Sequence, residues 1–164
     1  MLGFLKRFSG IFDVPRQGND ANRAIEAAQR VQKDAIEATA KLLAEKGLVN
    51  VGLYQCGHER MDDRIPTEIL GQVAGVTFNL GYLPGGDKLV VTQTATTRSA
   101  LRAAMGLLRP DGLLVVVAYR GHPGGPEECD AVVEELSSLT EDLSMEGDSA
   151  ADATSPLLLA ARKA

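Results

Sequence analysis

Apolar residues return every three to four positions in three stretches of the chain, which predicts three amphipathic helices. The first stretch covers residues 21–46, and Gly47 is a suitable residue to end that helix. The second stretch covers residues 97–108, and the third covers residues 126–139. Each helix is expected to bury one apolar stripe against a core.

Shorter apolar runs between these helices predict strands. The run at 113–119 is continuous, as in a strand buried on both faces of a parallel sheet. The other expected strands cover residues 10–14, 48–54, 75–80 and 156–161. Strands that alternate with helices predict an α/β fold with a mostly parallel sheet. In such sheets ligands bind beyond the carboxyl ends of the strands.

Turn-forming residues separate these elements. Turns are expected at 81–86 and 109–112, and a short helical turn at 65–68. The acidic, polar segment 140–154 is expected to be a mobile loop. The 164 residues, 45% of them hydrophobic, suit a single domain, of which residues 1–9 would form an N-terminal extension.

Charge and cysteine content narrow the function classes. A net charge of −5 argues against a strongly basic, non-specific nucleic-acid binder. Two interpretations of the remaining basic residues stay open: they form a local basic patch that binds RNA, or they are ordinary surface charges. The residues concerned are Lys88, Arg98, Arg102, Arg109 and Arg120. Cys56 and Cys129 are expected to be reduced thiols, and no Cys/His cluster has metal-site spacing. No apolar run is long enough to span a membrane.

Three loops follow predicted strands, and each carries candidate chemistry. At the end of the 75–80 strand, the Asn79 amide and the Leu80 carbonyl are able to accept hydrogen bonds from a substrate amino group, which would orient the nitrogen lone pair. Tyr82 is able to stack on a planar base. The alternative is a turn-forming Asn with Tyr82 at the rim. His58 is a candidate cofactor contact and His122 a candidate base or substrate contact, although a histidine alone in a loop is more often a plain loop or surface residue.

Several motifs together carry a family resemblance. The segment Asn-Leu-Gly-Tyr-Leu-Pro-Gly-Gly-Asp-Lys at 79–88 is followed by Gly-His-Pro-Gly-Gly at 121–125 and by two glutamates at 127–128. The segments Cys-Gly-His-Glu at 56–59 and Ser-Pro-Leu-Leu-Leu at 155–159 also fit. The chain resembles the rRNA methylase family from about residue 31 to 139. Bacterial members of that family look like methyltransferases of the tRNA wobble uridine, and chloroplast-containing organisms have similar proteins.

The resemblance implies a Rossmann-like class I methyltransferase with three layers and S-adenosylmethionine (SAM) as methyl donor. The methyl acceptor would be the aminomethyl nitrogen of the wobble uridine in tRNA, or another RNA. Asn79 and Tyr82 match an Asn-Pro-Pro-Tyr-like motif and, with Leu80, are the candidate catalytic residues. The implied partners are the tRNA anticodon region and a second copy of the chain, with no membrane, in the cytoplasm or a plastid.

Two further residue sets follow from the resemblance. The cofactor-binding set consists of Asp13, Gly18, Asn19, Asp20, Gln32, Gly57, His58 and Asn79. The substrate-binding set consists of Tyr82, Gly85, Gly86, Tyr119, His122 and Gly124. No metal ligand is implied.

The first cofactor motif departs from the family pattern. One glycine of its loop is lost, and Pro15 and Arg16 add bulk where the backbone should approach the methionine end of SAM. The second strand and its terminal acidic residue also have no counterpart, with Arg30 or a neighbour in that place. Three hypotheses stay open: a working methyltransferase with a reduced cofactor site, a non-catalytic RNA-binding or scaffold remnant, and a chain whose exposed strand edges prevent stable folding.

Overall fold

The computed structural model describes residues 33–81, 91–146 and 155–164. In these ranges the helices are α1 (33–45), α2 (Thr94–Leu107) and α3 (Gly125–Leu139), and short 3-10 helices cover His58–Arg60 and Thr67–Ile69. The strands are β1 (Val73–Leu80), β2 (Leu108–Ala118), β3 (Leu143–Glu146) and β4 (Leu157–Arg162). The described part thus alternates helix and strand up to α3, as the hydrophobic pattern predicts.

The four described strands form one mixed sheet in the order β1-β2-β4-β3. Strands β1 and β2 run parallel, and their register places Asn79 opposite Val117 and Leu80 opposite Ala118. Strand β4 runs antiparallel to both β2 and β3. Because β1 and β2 are parallel, their carboxyl ends meet at the same edge, and the loops that follow them are neighbours.

The core lies between one face of this sheet and the helices α2 and α3. Alternate residues of the strands point into it, and their partners come from the apolar stripes of both helices. The strand residues are Val76, Phe78, Leu80, Leu114, Val116, Ala118, Leu159 and Ala161, and the helix residues include Ala100, Leu101, Ala104, Val132 and Leu136. Each fully buried Leu or Phe stabilises the fold by roughly 1.5–3 kcal/mol relative to an exposed one.

Most predicted elements of the described part are confirmed. The strands expected at 75–80, 113–119 and 156–161 correspond to β1, β2 and β4, and the helices expected at 97–108 and 126–139 correspond to α2 and α3. Helix α1 confirms the later half of the helix predicted at 21–46, and the turn at 65–68 is the second 3-10 helix. The strand predicted at 10–14 and most of the turn at 81–86 lie outside the described residues.

Three expectations are wrong. Residues 48–54 form no strand, because no described strand pairs with their backbone. The loop expected at 140–154 contains β3, which pairs with β4. The turn at 109–112 is an irregularity inside β2, where the register with β1 shifts between Val73 and Gly75 and Asp111 adopts a φ of 60°.

Both cysteines are buried free thiols, as expected. Burial raises the pKa of the Cys129 thiol to about 11 and also raises the pKa of the Cys56 thiol. Both are therefore protonated near neutral pH and act as small apolar side chains. Within the described ranges, no helix combines the length and apolar character of a membrane span.

Candidate functional site

The loops that follow β1 and β2 are in direct contact, as their shared sheet edge requires. The Tyr119 N–H donates to the Leu80 carbonyl at 3.4 Å. Gly81 adopts a φ of 129°, a conformation that favours glycine, and a Cβ there would lie 3.4 Å from both His122 Nε2 and Tyr119 Cβ. The structure therefore brings the two motif loops together over a glycine that leaves little room for a side chain.

Asn79 lies exposed at the carboxyl end of β1. Its side chain is on the sheet face opposite to the core, since Phe78 and Leu80 on either side of it point into the core. Leu80 is buried, and its carbonyl accepts the Tyr119 amide, which leaves one of the two lone pairs of that oxygen for a further donor. The role of Leu80 as a second acceptor stays a prediction, and Asn79 is the exposed residue of the pair.

Tyr119 and His122 have contrasting environments. Tyr119 is 45% exposed, so that an aromatic ring is available beside Gly81 for contact with a planar group. His122 is buried, and its Nδ1 lies 3.1 Å from the Pro123 carbonyl, to which it donates in the corresponding tautomer. Gly124, at a φ of 79°, is the N-cap residue of α3, so it shapes the loop through its backbone.

His58 lies inside the protein instead of facing a ligand. Its side chain is packed edge-on against Phe78, with ring centroids 5.9 Å apart, and its Nε2 is 3.3 Å from the Thr96 hydroxyl. With 1% exposure, burial lowers the pKa of His58 to about 4, so the ring is neutral near pH 7. In this structure His58 fastens its loop to α2 and β1, and the cofactor contact through a ring nitrogen stays a prediction.

Glu59, the next residue of this loop, presents an unsatisfied acceptor. Its Oε2 is buried and has no hydrogen-bond partner among the described residues. The carboxylate lies over Gly57, where a Cβ would stand only 2.2 Å from Glu59 Oε1. Gly57 thus makes room for the carboxylate, and Glu59 offers an oxygen that a ligand hydroxyl or amino group would satisfy. Sequence reasoning missed Glu59 as a candidate, although it follows His58 directly.

Glu128 and Thr92 are two further polar residues that sequence reasoning missed. Both are buried, and the Thr92 hydroxyl donates to Glu128 at 2.6 Å while it accepts the Gly81 N–H at 2.8 Å. The Thr97 hydroxyl donates to the other Glu128 oxygen at 2.5 Å. The pair of glutamates at 127–128, one residue beyond the 121–125 loop, was the available signal for Glu128.

Two arginines of the postulated basic patch are neutralised by glutamates of α3. Arg102 makes two hydrogen bonds to Glu135, at 2.6 and 2.9 Å, and Arg98 bonds both Glu135 and Glu134. Burial alone would raise the pKa of Glu135, but the hydrogen bonds from Arg102 and Arg98 outweigh burial and lower it. The interpretation of Arg98 and Arg102 as part of an RNA-binding patch is therefore not supported.

The remaining candidate residues lie outside the described ranges, and they are Asp13, Gly18, Asn19, Asp20, Gln32, Tyr82, Gly85 and Gly86. Within those ranges, no group of three or more His, Cys, Asp or Glu residues is placed to hold a metal ion. The described candidates are therefore an exposed amide and an exposed aromatic ring at the ends of neighbouring strands, and a buried carboxylate oxygen in the 56–59 loop.

Residues 27–149 match the sequence model of the family described as "Putative rRNA methylase". The chain belongs to the rRNA methylase family. A solved structure from Clostridium thermocellum that bears the same family name is similar with a TM-score of 0.72 and 35% identity, over 80% of this chain and 70% of that one. The α/β sheet and its helices are thus those of a Rossmann-like class I fold.

The names of two more similar proteins state what those proteins bind or modify. A Streptococcus mutans protein described as "a putative methyltransferase", solved in complex with SAH, has a TM-score of 0.63 and 25% identity over 93% of this chain and 74% of that one. The tRNA (mnm(5)s(2)U34)-methyltransferase, chloroplastic, of Arabidopsis thaliana is 46% identical over 109 residues, which is 64% of this chain. The chain spans 39% of the length of that curated relative.

Proposed function

We propose that this member of the rRNA methylase family is a SAM-dependent RNA methyltransferase that methylates the aminomethyl nitrogen of the tRNA wobble uridine. The observation that carries the proposal is the exposed Asn79 at the carboxyl end of β1, beside the exposed Tyr119. The Arabidopsis relative, named for this nucleotide, supports the choice of substrate.

The side chain of Asn79 is suited to bind an amine that accepts the methyl group. Its side-chain oxygen accepts one N–H of a primary amine, and this bond turns the nitrogen lone pair in a defined direction. The Leu80 carbonyl accepts the Tyr119 amide and keeps a second lone pair, so it would serve as the additional backbone acceptor that the sequence motif suggests. The exposed Asn79 amide would provide the main contact that orients the amine, and its loss should strongly slow methyl transfer.

The described residues fit SAM at its adenosine end. When bound, SAM supplies an electrophilic methyl group. The unsatisfied Glu59 oxygen is an acceptor for a hydroxyl or amino donor of the adenosine. Gly57 leaves room for that carboxylate, and Asp13, Gly18, Asn19, Asp20 and Gln32 are the further residues proposed to hold the cofactor. The Streptococcus mutans structure in complex with SAH supports this assignment.

RNA recognition would depend on few contacts. The half-exposed Tyr119 ring is able to stack on an unpaired base, as proteins that read single-stranded loops commonly do. With a net charge of −5, and with Arg98 and Arg102 paired to glutamates, the phosphate contribution to binding should be small. We expect a modest affinity for RNA and a weak salt dependence of RNA binding.

The chloroplastic relative supports a plastid location, and the cytoplasm is the alternative.

A methylation assay with two tRNA samples tests the proposal. One tRNA carries a wobble 5-aminomethyl-2-thiouridine and the other is an unmodified transcript of the same sequence. Incubation with isotope-labelled SAM should label only the first, and mass spectrometry of its nucleosides should show one added methyl group on that uridine.

Asn79→Ala and Thr77→Ala form a matched pair for this assay, because both residues are exposed on the same face of β1. Asn79→Ala should lower the rate on the order of 100-fold or more, as expected when a positioned acceptor is lost, while Thr77→Ala stays near wild type. A folded chain that labels neither tRNA would contradict the proposal and favour the RNA-binding or scaffold remnant.

A further inference from the structure

Glu128 is a buried carboxylate whose partners are hydroxyl groups. It is 2% exposed, and both of its oxygens accept hydrogen bonds, from Thr92 at 2.6 Å and from Thr97 at 2.5 Å. Among the described residues, no Lys or Arg forms a salt bridge with it, in contrast to Glu135. A buried carboxylate is costly unless its oxygens are satisfied, so these two hydroxyls must point their hydrogens at Glu128.

The hydrogen bond to Glu128 determines which way the Thr92 hydroxyl donates and accepts. A threonine hydroxyl has one hydrogen, and here Glu128 takes it, so the lone pairs of Thr92 Oγ1 face the other way. The Gly81 N–H donates to that oxygen at 2.8 Å, and the Thr92 N–H donates to the Gly81 carbonyl at 2.8 Å. Both polar groups of the Gly81 backbone are therefore held by one residue, which Glu128 orients.

Gly81 is two residues from Asn79, and Leu80 between them is tied to Tyr119. A shift of the Gly81 peptide would move the end of β1 and with it the Asn79 amide. We propose that Glu128 is a positioning residue which, through Thr92, holds the 79–81 segment in the geometry needed to orient the methyl acceptor. The catalytic consequence rests on the proposed function, whereas the hydrogen-bond relay itself does not.

Thr92→Val and Thr97→Val form a matched pair. Each removes one hydroxyl hydrogen bond to Glu128 and keeps the shape of the side chain, but only Thr92 contacts Gly81. Loss of a positioning hydrogen bond is expected to lower kcat for methyl transfer about tenfold or more in Thr92→Val, with the KM for SAM within about threefold of wild type. Thr97→Val should lose similar thermal stability and keep kcat within about threefold.

Hydrogen exchange of the Gly81 amide provides a readout that needs no activity. Thr92→Val and Glu128→Ala should speed this exchange at least tenfold more than Thr97→Val does, and Glu128→Gln should restore part of the protection because its amide oxygen still accepts from Thr92. Equal exchange, or equal kcat, in the two threonine variants would overturn the proposal. If wild type transfers no methyl group but exchange differs as expected, the relay stands and the proposed function fails.

Discussion

The two faces of the described sheet differ in how completely they are packed. On the face toward α2 and α3, most inward residues of β1, β2 and β4 are buried. On the opposite face, Thr77 and Asn79 are exposed, while Leu113, Val115 and Val117 of β2 are only half-buried. Neighbouring residues of the same type, Leu113 and Leu114, thus have different environments. The comparison indicates that stability comes mainly from one face and that Asn79 is presented on the other.

The largest expected difference between the two faces is in the free energy of unfolding of Leu114→Ala compared with Leu113→Ala. Leu114 is fully buried, so its truncation should lower the free energy of unfolding by roughly 3–5 kcal/mol, through lost burial and the cavity left behind. Leu113→Ala on the half-buried face should cost about 1–2 kcal/mol. Urea unfolding followed by circular dichroism measures both values, and equal losses would show that the second face is packed as well as the first.

The pH dependence of His58 tests the packed face in a second way. Its folded pKa is lowered from 6.5 to about 4, so the folded chain keeps the ring neutral while the unfolded chain takes up a proton below pH 6.5. The associated stability is complete above pH 6.5 and decreases as the pH falls toward 4, by at most about 3 kcal/mol.

His58→Phe provides the control for this titration, since it retains an aromatic ring beside Phe78 and removes the ionisable nitrogens. Unfolding free energies measured from pH 7 to pH 5 should decrease less steeply for the variant than for wild type. Parallel slopes would mean that His58 is accessible to solvent and protons, contrary to the buried position described above.

Arg102→Met is expected to have the smallest effect of the series. It removes two hydrogen bonds to the buried Glu135, but Arg102 itself is 60% exposed and the interaction is screened by water, so the cost should be about 1 kcal/mol. Because the folded pKa of Glu135 is lowered, this contribution is present above the unfolded value of 4.5 and is lost as the pH falls through the folded value.

Thermal melts at pH 7 and pH 3.5 with Lys41→Met as an exposed control check this prediction. The difference between wild type and Arg102→Met should be larger at pH 7 than at pH 3.5. A larger difference at the acidic pH would contradict the sign of the Glu135 shift.

Elements with a strong pattern of their own were predictable from the sequence. The stripe of Ala100, Leu101 and Ala104 marks α2, and the uninterrupted run at 113–119 marks β2. The strand expected at 48–54 fails because apolar residues alone do not supply a neighbouring strand to pair with. Strand β3 was missed for the opposite reason: its residues are mostly exposed, and pairing with β4 specifies it.

The site was predictable as far as local motifs extend. The meeting of the Asn79 and His122 loops followed from parallel strands with carboxyl ends at one edge. The burial of His58 did not follow, because its partner Thr96 is 38 residues away. The relay from Glu128 joins residues 31 to 36 positions apart, and the arginine–glutamate cluster spans similar separations. Such pairings depend on how α2 and α3 pack, which periodicity alone does not determine.

The central claim, that the loops at the sheet edge belong to a working SAM site, is tested most directly by calorimetric titration of the full chain with SAM. Asp62→Asn is the matched control for Glu59→Gln, since both change a carboxylate to an amide in the same region of the chain, and Asp62 is exposed. The account predicts micromolar binding that Glu59→Gln weakens about tenfold or more and Asp62→Asn leaves unchanged, because only Glu59 has a buried, unsatisfied oxygen. A chain that melts cooperatively but shows no heat of binding with SAM at concentrations up to about 1 mM would contradict the account.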